Sequence, residues 1–248
     1  MISIYTHAGS GKSHSEDAVL CGRKIVVNDS VVLSMPDNGF IAVADGVGGC
    51  QAGEVASSFV LSELSECNAV DLPEKLAAIN DRLIALSISN VETNGMATTL
   101  SGVYFTDSSP LLVHIGNTRV YAMQGRYLKQ ISSDHTVYSW LKSCGRHEEA
   151  EHCNRNEITN CFGGGDKSLF DRLYVAPIPK YNVMLLTSDG VHEHLTIDDL
   201  EDALHCEIDD TSKCRRIAEI ALSNGSKDDI TVVLIKADFA ERGTTHET

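Results

Sequence analysis

Four places in the chain carry acidic residues where a strand begins or ends. The apolar run at residues 41–44 stops in Asp45-Gly46, with Val47-Gly48-Gly49 behind it. Leu185-Leu186-Thr187-Ser188 runs into Asp189-Gly190 in the same way. Lys227-Asp228-Asp229 stands directly before the apolar run at 230–235, and Glu16-Asp17 closes the polar stretch at 9–17. A carboxylate at the tip of a rigid strand has little freedom, which suits a metal ligand. A glycine beside it lets the backbone carbonyl turn toward the same ion, because no Cβ blocks the approach. Mg²⁺ and Mn²⁺ take such carboxylate, carbonyl and water oxygens. A single Asp-Gly junction is common turn chemistry. Four acidic corners far apart in sequence are a pattern, because gathered like charges repel and divalent cations reverse the penalty.

The elements that must position these corners follow from periodicity. Residues 1–6 read as a strand, and Ile25-Val26-Val27 and Val31-Val32-Leu33 as a hairpin about Asn28-Asp29-Ser30. Ala52, Val55, Ala56, Phe59, Val60 and Leu64 fall at helical spacing. A second helix runs from Pro73 to about Ile88, with Leu76, Ile79, Leu83 and Leu86 inward. Four short strands at about 98–105, 111–115, 119–123 and 127–128 predict an antiparallel meander. Residues 132–168 read as a long irregular span, which in a compact domain is usually functional. Strands near 173–175 and 183–186, helices at 197–205 and 211–223, and a last strand at 230–235 complete the chain. Strands in runs with helices in pairs predict an α+β layered sandwich rather than a βαβ winding. With no linker in view, one domain is expected.

The 248 residues are enough to bury a proper core. Hydrophobic residues make up 42% and charged ones 22%, as in ordinary globular proteins. The formal charge of −15 disfavours nucleic acid and anionic membrane as partners, a nuclease included. No apolar run approaches the roughly 20 residues of a membrane span. The start lacks the layout of a secretion signal, so the cytoplasm is expected. Eight cysteines in a chain of this length need no disulfides. Cys144, His147, His152, Cys153 and Cys161 are zinc-ligand types without a finger spacing. Gly11-Lys12-Ser13 resembles the end of a P-loop, but no glycine stands where the first one belongs, and no helical pattern follows.

The corners and their surroundings resemble the metal-dependent Ser/Thr protein phosphatases of the protein phosphatase 2C type. The matching pieces are Ser15-Glu16-Asp17-Ala18, residues 44–49, Ala97-Thr98-Thr99-Leu100, residues 116–121, Ser133-Asp134-His135-Thr136, Thr187-Ser188-Asp189-Gly190 and Asp228-Asp229-Ile230-Thr231. They occur in the family's order and cover nearly the whole chain. The resemblance implies a four-layer α-β-β-α sandwich, two antiparallel sheets flanked by helix pairs. It makes residues 1–248 a single catalytic domain of minimal, bacterial-like kind, with a flap at about 137–168. It also implies hydrolysis of phosphoserine and phosphothreonine in proteins by direct attack of a metal-activated water. Mn²⁺ or Mg²⁺ would be present as two ions per chain. Asp45 would bridge them, with the Gly46 carbonyl on one, Asp189 and Asp228 completing the other, and Glu16 and Asp17 holding waters. Asp228 matches the family's metal ligand better than Asp229, since the family has Asp-Asn there. The catalytic set would be Asp45, Asp189 and Lys12, and the partners phosphoproteins and a Ser/Thr kinase counterpart, with the chain a monomer.

Three residues depart from the family's pattern. Lys12 stands where the family usually has a phosphate-binding arginine, keeping the charge but losing the bidentate fork. Val47 stands where some members have a histidine after the Asp-Gly, leaving His135 and His7 as stand-ins for a general acid. Asn117 stands where many relatives have an aspartate that helps bind a third ion, which makes a third ion doubtful. Together these departures motivate an alternative, a weakly active or inactive module that binds phosphoproteins.

Overall fold

The computed structural model describes residues 1–47, 52–68, 70–106 and 109–237. Gly48, Gly49 and the turn at Asp107-Ser108 lie outside the described residues. The chain opens with β1 (Ile2–His7), β2 (Ala18–Cys21), β3 (Lys24–Val26), β4 (Asp29–Leu33) and β5 (Gly39–Ala44). Helices α1 (Gly53–Ser65) and α2 (Leu72–Ser89) follow. Next come β6 (Ala97–Thr98), β7 (Leu100–Phe105), β8 (Leu111–Ile115), β9 (Arg119–Gln124) and β10 (Tyr127–Gln130). Two short helices, α3 (Val137–Ser143) and α4 (His147–His152), precede β11 (Phe162–Gly163), β12 (Tyr174–Pro177) and β13 (Val183–Thr187). The last part is α5 (Asp189–His192), α6 (Ile197–His205), α7 (Asp210–Ser223) and β14 (Ile230–Lys236).

Two six-stranded antiparallel sheets result, ordered β10-β9-β13-β14-β1-β4 and β12-β8-β7-β5-β2-β3, with a small β11-β6 ladder beside them. The central strands read as unbroken apolar runs because both of their faces are covered. On β14, Val233 and Ile235 face the other sheet, while Ile230, Val232 and Leu234 face α6 and α7. On β5, Ile41 and Val43 turn inward, while Phe40, Ala42 and Ala44 lie under α1 and α2. Between the sheets Ile2, Ile4, Met184 and Leu186 meet Val19, Val103, Phe105 and Leu112. The layers are therefore helix, sheet, sheet, helix, as expected. Burying each such aliphatic side chain contributes about 1.5–3 kcal/mol. Local signals start the outer helices: α6 begins in a capping box of Thr196 and Asp199, and Asp209 caps α7 by accepting from the Ser212 N–H. Among the described residues no helix is long and apolar enough to cross a membrane.

Three expectations need correction. The hairpin across Asn28 does not form: β3 pairs with β2 in one sheet, while β4 pairs with β1 in the other. Asn28, at φ 51°, turns the chain from sheet to sheet instead. The meander is also split. β7 pairs with β8, and β9 with β10, but the chain changes sheets between β8 and β9 at Gly116-Asn117-Thr118. Residues 132–168 are not irregular throughout, since α3 and α4 pack on one another there. Smaller differences concern facing: Val55 and Leu86 are exposed, and Leu61 and Ile84 take the buried positions.

Candidate active site

Strand pairing brings the acidic corners to one edge of the sandwich. β13 and β14 are antiparallel neighbours with Thr187 opposite Val232, so the end of one strand and the start of the next share an edge. That register sets Asp189 beside Asp228-Asp229. In the other sheet Ala18 lies opposite Ala44, so Asp17 and Asp45 are adjacent across β2 and β5. The sheets are tied at this edge by Asp17, whose Oδ2 accepts from Thr231 Oγ1 at 2.6 Å, and Thr231 Oγ1 lies 2.8 Å from Thr6 Oγ1.

The backbone around Asp45 is held by threonines. Its carbonyl accepts from Thr98 Oγ1 at 2.9 Å and from the Thr99 N–H at 2.9 Å, while its own N–H donates to Thr99 Oγ1 at 3.1 Å. The Gly46 N–H donates to the Glu16 carbonyl at 3.2 Å, joining two corners directly. A Cβ on Gly46 would lie 2.6 Å from the backbone of Gly53, so only glycine lets α1 start this close to the site. Gly190 plays the same part on the other side, where a Cβ would lie 2.1 Å from the Asp229 carbonyl oxygen.

Crowding of carboxylates shows in their proton affinities. Burial raises Asp45 well above the usual carboxylate range, and the charges of Asp17, Asp189 and Asp228 and a hydrogen bond with Asp17 raise it further. Burial pushes Asp17 up to about 7, with the Asp229 charge adding to it and the Thr231 hydroxyl opposing. Asp189 is raised by burial and then by Asp228, against the Asn117 amide. Asp17 Oδ1 is buried with no hydrogen-bond partner. An orphaned carboxylate oxygen among mutually repelling acids, beside a carbonyl at a glycine cradle, fits hard divalent cations. Among the described residues no three His, Cys, Asp or Glu side chains close on one ion position. Mg²⁺ keeps several waters and takes only one or two carboxylates, so the donor set still fits.

Lys12 reaches into this edge. Its Nζ donates to Asp228 Oδ1 at 2.6 Å, Asp229 Oδ2 at 3.2 Å and Glu16 Oε2 at 3.3 Å. Asp229, which sequence reasoning ranked behind Asp228, is the buried anchor of the corner. It accepts from the Gly9 N–H at 2.8 Å and the Glu16 N–H at 2.7 Å, and so pins the 9–16 loop to β14. Asp228 is half-exposed instead. Asn117 sits at the sheet-changing turn and donates Nδ2 to Asp189 Oδ2 at 3.0 Å. This orientation is set by Asp189, because an amide oxygen there would face a carboxylate. His135 is buried under the same turn, its Nδ1 accepting from the Gly116 N–H at 3.2 Å and its ring 4.8 Å from His114. Burial, followed by His114, pushes it down to about 4, so at neutral pH the ring is neutral and lacks the imidazolium proton of a general acid.

No protein-family model matches the chain. It is 27% identical over 253 residues to a serine/threonine phosphatase, Stp, of Listeria monocytogenes, covering 96% of both. It is 26% identical over 248 residues to a Streptococcus pyogenes protein named for the protein phosphatase 2C type, covering 94% of this chain and 96% of that one. Its structure resembles that of the serine/threonine phosphatase Stp1 from Staphylococcus aureus, with a TM-score of 0.78 at 27% identity over 96% and 94% of the two chains. Layers, acidic edge and relatives agree: along nearly its whole length the chain is similar to Ser/Thr protein phosphatases of the protein phosphatase 2C type.

Proposed function

We propose that this protein hydrolyses phosphoserine and phosphothreonine in phosphoproteins by direct attack of water at phosphorus, with no phosphoenzyme. The observation that carries the reading is the meeting of Asp17, Asp45, Asp189 and Asp228 at one edge of the sandwich, from strands of both sheets. Asp45, the Gly46 carbonyl, Asp189 and Asp228 would hold two Mg²⁺ or Mn²⁺ ions, with Glu16 and Asp17 accepting from their waters. Bound there, such ions supply an acidified water and neutralise charge on phosphate oxygens. The Thr98 and Thr99 bonds fix Asp45 in place, and the Asp17–Thr231 bond keeps the two sheets in register at the site. Lys12 is proposed to contact the substrate phosphate as a point charge, while no histidine is assigned as general acid. In the same reading residues 137–168 act as a flap on a single domain. The protein works as a monomer, opposite a Ser/Thr kinase, in the cytoplasm, a compartment that the seven free thiols among the described residues suit.

The test is phosphate release from a phosphothreonine peptide with Mn²⁺, with Mg²⁺ and with a chelator. Metal-dependent turnover is expected. Stoichiometric binding of a phosphoprotein without phosphate release at saturating Mn²⁺ would replace this reading with that of a binding module.

A further inference from the structure

We infer that Lys12 is a built-in counter-cation of the acidic edge, competing with the divalent ion for Asp228 and freed for the substrate phosphate when that ion binds. The inference rests on the proposed function in taking Asp228 as a metal ligand. An ammonium has three N–H donors and no more. All three of Lys12 are committed, to Asp228 Oδ1, Asp229 Oδ2 and Glu16 Oε2. A lysine so engaged has no donor left for phosphate, so one of the three bonds must break before it can serve the substrate.

The surroundings decide which one yields. Asp229 is 3% exposed and fixed by two backbone N–H groups, so it cannot follow or release the ammonium easily. Glu16 lies 3.3 Å away, the longest of the three contacts. Asp228 is 56% exposed and, among the described residues, otherwise bonded only to the Asp229 N–H, at 2.8 Å. The Asp228 bond is also the shortest, and it uses a carboxylate that the metal would need. A doubly charged ion on Asp228 outcompetes a single charge there and repels the ammonium that remains. The lysine stem then has somewhere to go: a cleft of about 300 Å³ lined by Gly11, Ser13, His14, Glu16 and Glu54 opens beside it. The backbone need not move, since the Lys12 N–H stays bonded to the Gly9 carbonyl at 3.1 Å. Burial alone would lower the Lys12 pKa, yet the bond and charge of Asp228, with Asp229, raise it overall, so the side chain is a permanent cation at neutral pH. An arginine, with five donors in a fork, could hold carboxylates and phosphate together. A lysine must choose, and metal binding makes the choice.

The experiment is calorimetric titration of Mn²⁺ into the wild-type protein and Lys12→Met, which keeps the length of the stem and removes its charge. The tighter-binding variant is expected to gain about five- to tenfold in affinity, a range between that of a charge-assisted bond and that of a half-exposed ion pair. In chelator Lys12→Met should melt below the wild type, because three carboxylates lose their counter-charge. Inorganic phosphate should bind the wild type only after metal, and bind the variant weakly in either state. Equal Mn²⁺ affinities in wild type and variant overturn the inference. If Lys12→Met does not fold, Lys12→Gln gives the same comparison of affinities. A gain in affinity in a protein that releases no phosphate from peptides would uphold this inference and remove the phosphatase reading. Unchanged affinity in the variant, with metal-dependent phosphate release by the wild type, would do the reverse.

Discussion

Replacing Gly190 by alanine tests the whole acidic edge with one methyl group. A Cβ at this position would lie 2.1 Å from the Asp229 carbonyl oxygen and 3.3 Å from Asp228 Cβ. Contacts of that kind settle near 3.5 Å, so the 228–229 backbone must retreat from α5 by more than about 1 Å. Asp229 holds the Gly9 and Glu16 N–H groups at 2.8 and 2.7 Å. A shift of that size carries both bonds past the useful range. Overpacking contributes about 1–3 kcal/mol of destabilisation, and loosened bonds to a carboxylate about 1.5–3 more. The helix preference of alanine over glycine returns at most about 1 kcal/mol, so the clash wins. A net loss of about 1.5–5 kcal/mol corresponds to a fall in Tm of about 3–20 °C for a chain of this size. Turnover should fall about a hundredfold, because a 1 Å displacement of the reacting groups is that costly. Scanning calorimetry and phosphate release on one preparation measure both. Gly125→Ala is the control: φ is +64° at an open turn with nothing within 4 Å, so it should strain the backbone and leave turnover alone. A Gly190→Ala protein with a Tm within about 1 °C of wild type and turnover within about twofold would refute the reasoning.

Asp45→Asn and Asp189→Asn should each lower kcat at least about a hundredfold, since each withdraws charge from a site that depends on it; near-normal rates in both would remove these residues from the ligand set. Asn117→Asp exchanges a donor to Asp189 for a second carboxylate, so in chelator the variant should lose about 1–3 kcal/mol of stability, and Mn²⁺ should raise its Tm more than it raises that of the wild type. Equal Mn²⁺ shifts would leave Asn117 as a turn residue only. The folded-state pKa of Asp17, about 7, exceeds its ordinary 3.8, so folding takes up a proton between these values. In chelator this residue's contribution to stability is therefore greatest below about pH 4 and is lost as pH rises through 7. Melting curves at pH 5 and 7.5 should show that extra slope in the wild type relative to Asp17→Asn, and identical slopes would count against it.

What was legible in the sequence depended on how local the cause was. Strands β13 and β14 announce themselves because both of their faces are buried, and Thr231 alone interrupts the apolar run. Asp45, Asp189 and Asp228 could be singled out because a charged residue at the end of such a run has few structural uses. Helices α3 and α4 could not be seen in the same way. Seven and six residues make under two turns, too few for an apolar stripe to repeat. The one available signal was Thr136, whose side chain accepts from the Ser139 N–H at the start of α3. Asp229 is hard to pick out for a related reason: next to Asp228 it looks equivalent, and only the fold buries one and exposes the other.

Strand partners were the larger gap, and they matter most for the site. Nothing local in Asn28-Asp29-Ser30 distinguishes a hairpin turn from a passage between sheets, because the same left-handed Asn serves both. The decision lies with distant residues: Val31 pairs with Ile4, and Ile4 with Val233. The passage at Gly116-Asn117-Thr118 is the more consequential one. Had β9 continued the meander beside β8, Asn117 would cap an ordinary hairpin. By crossing to β13 instead, with Arg119 opposite Thr187, the chain delivers Asn117 to Asp189. The acidic edge is thus a product of topology. Each corner is written locally as a strand end, but no corner is a site until two sheets are stacked with those ends on the same side. Asp17 shows the dependence most directly, since it belongs to one sheet and is bonded to Thr231 of the other.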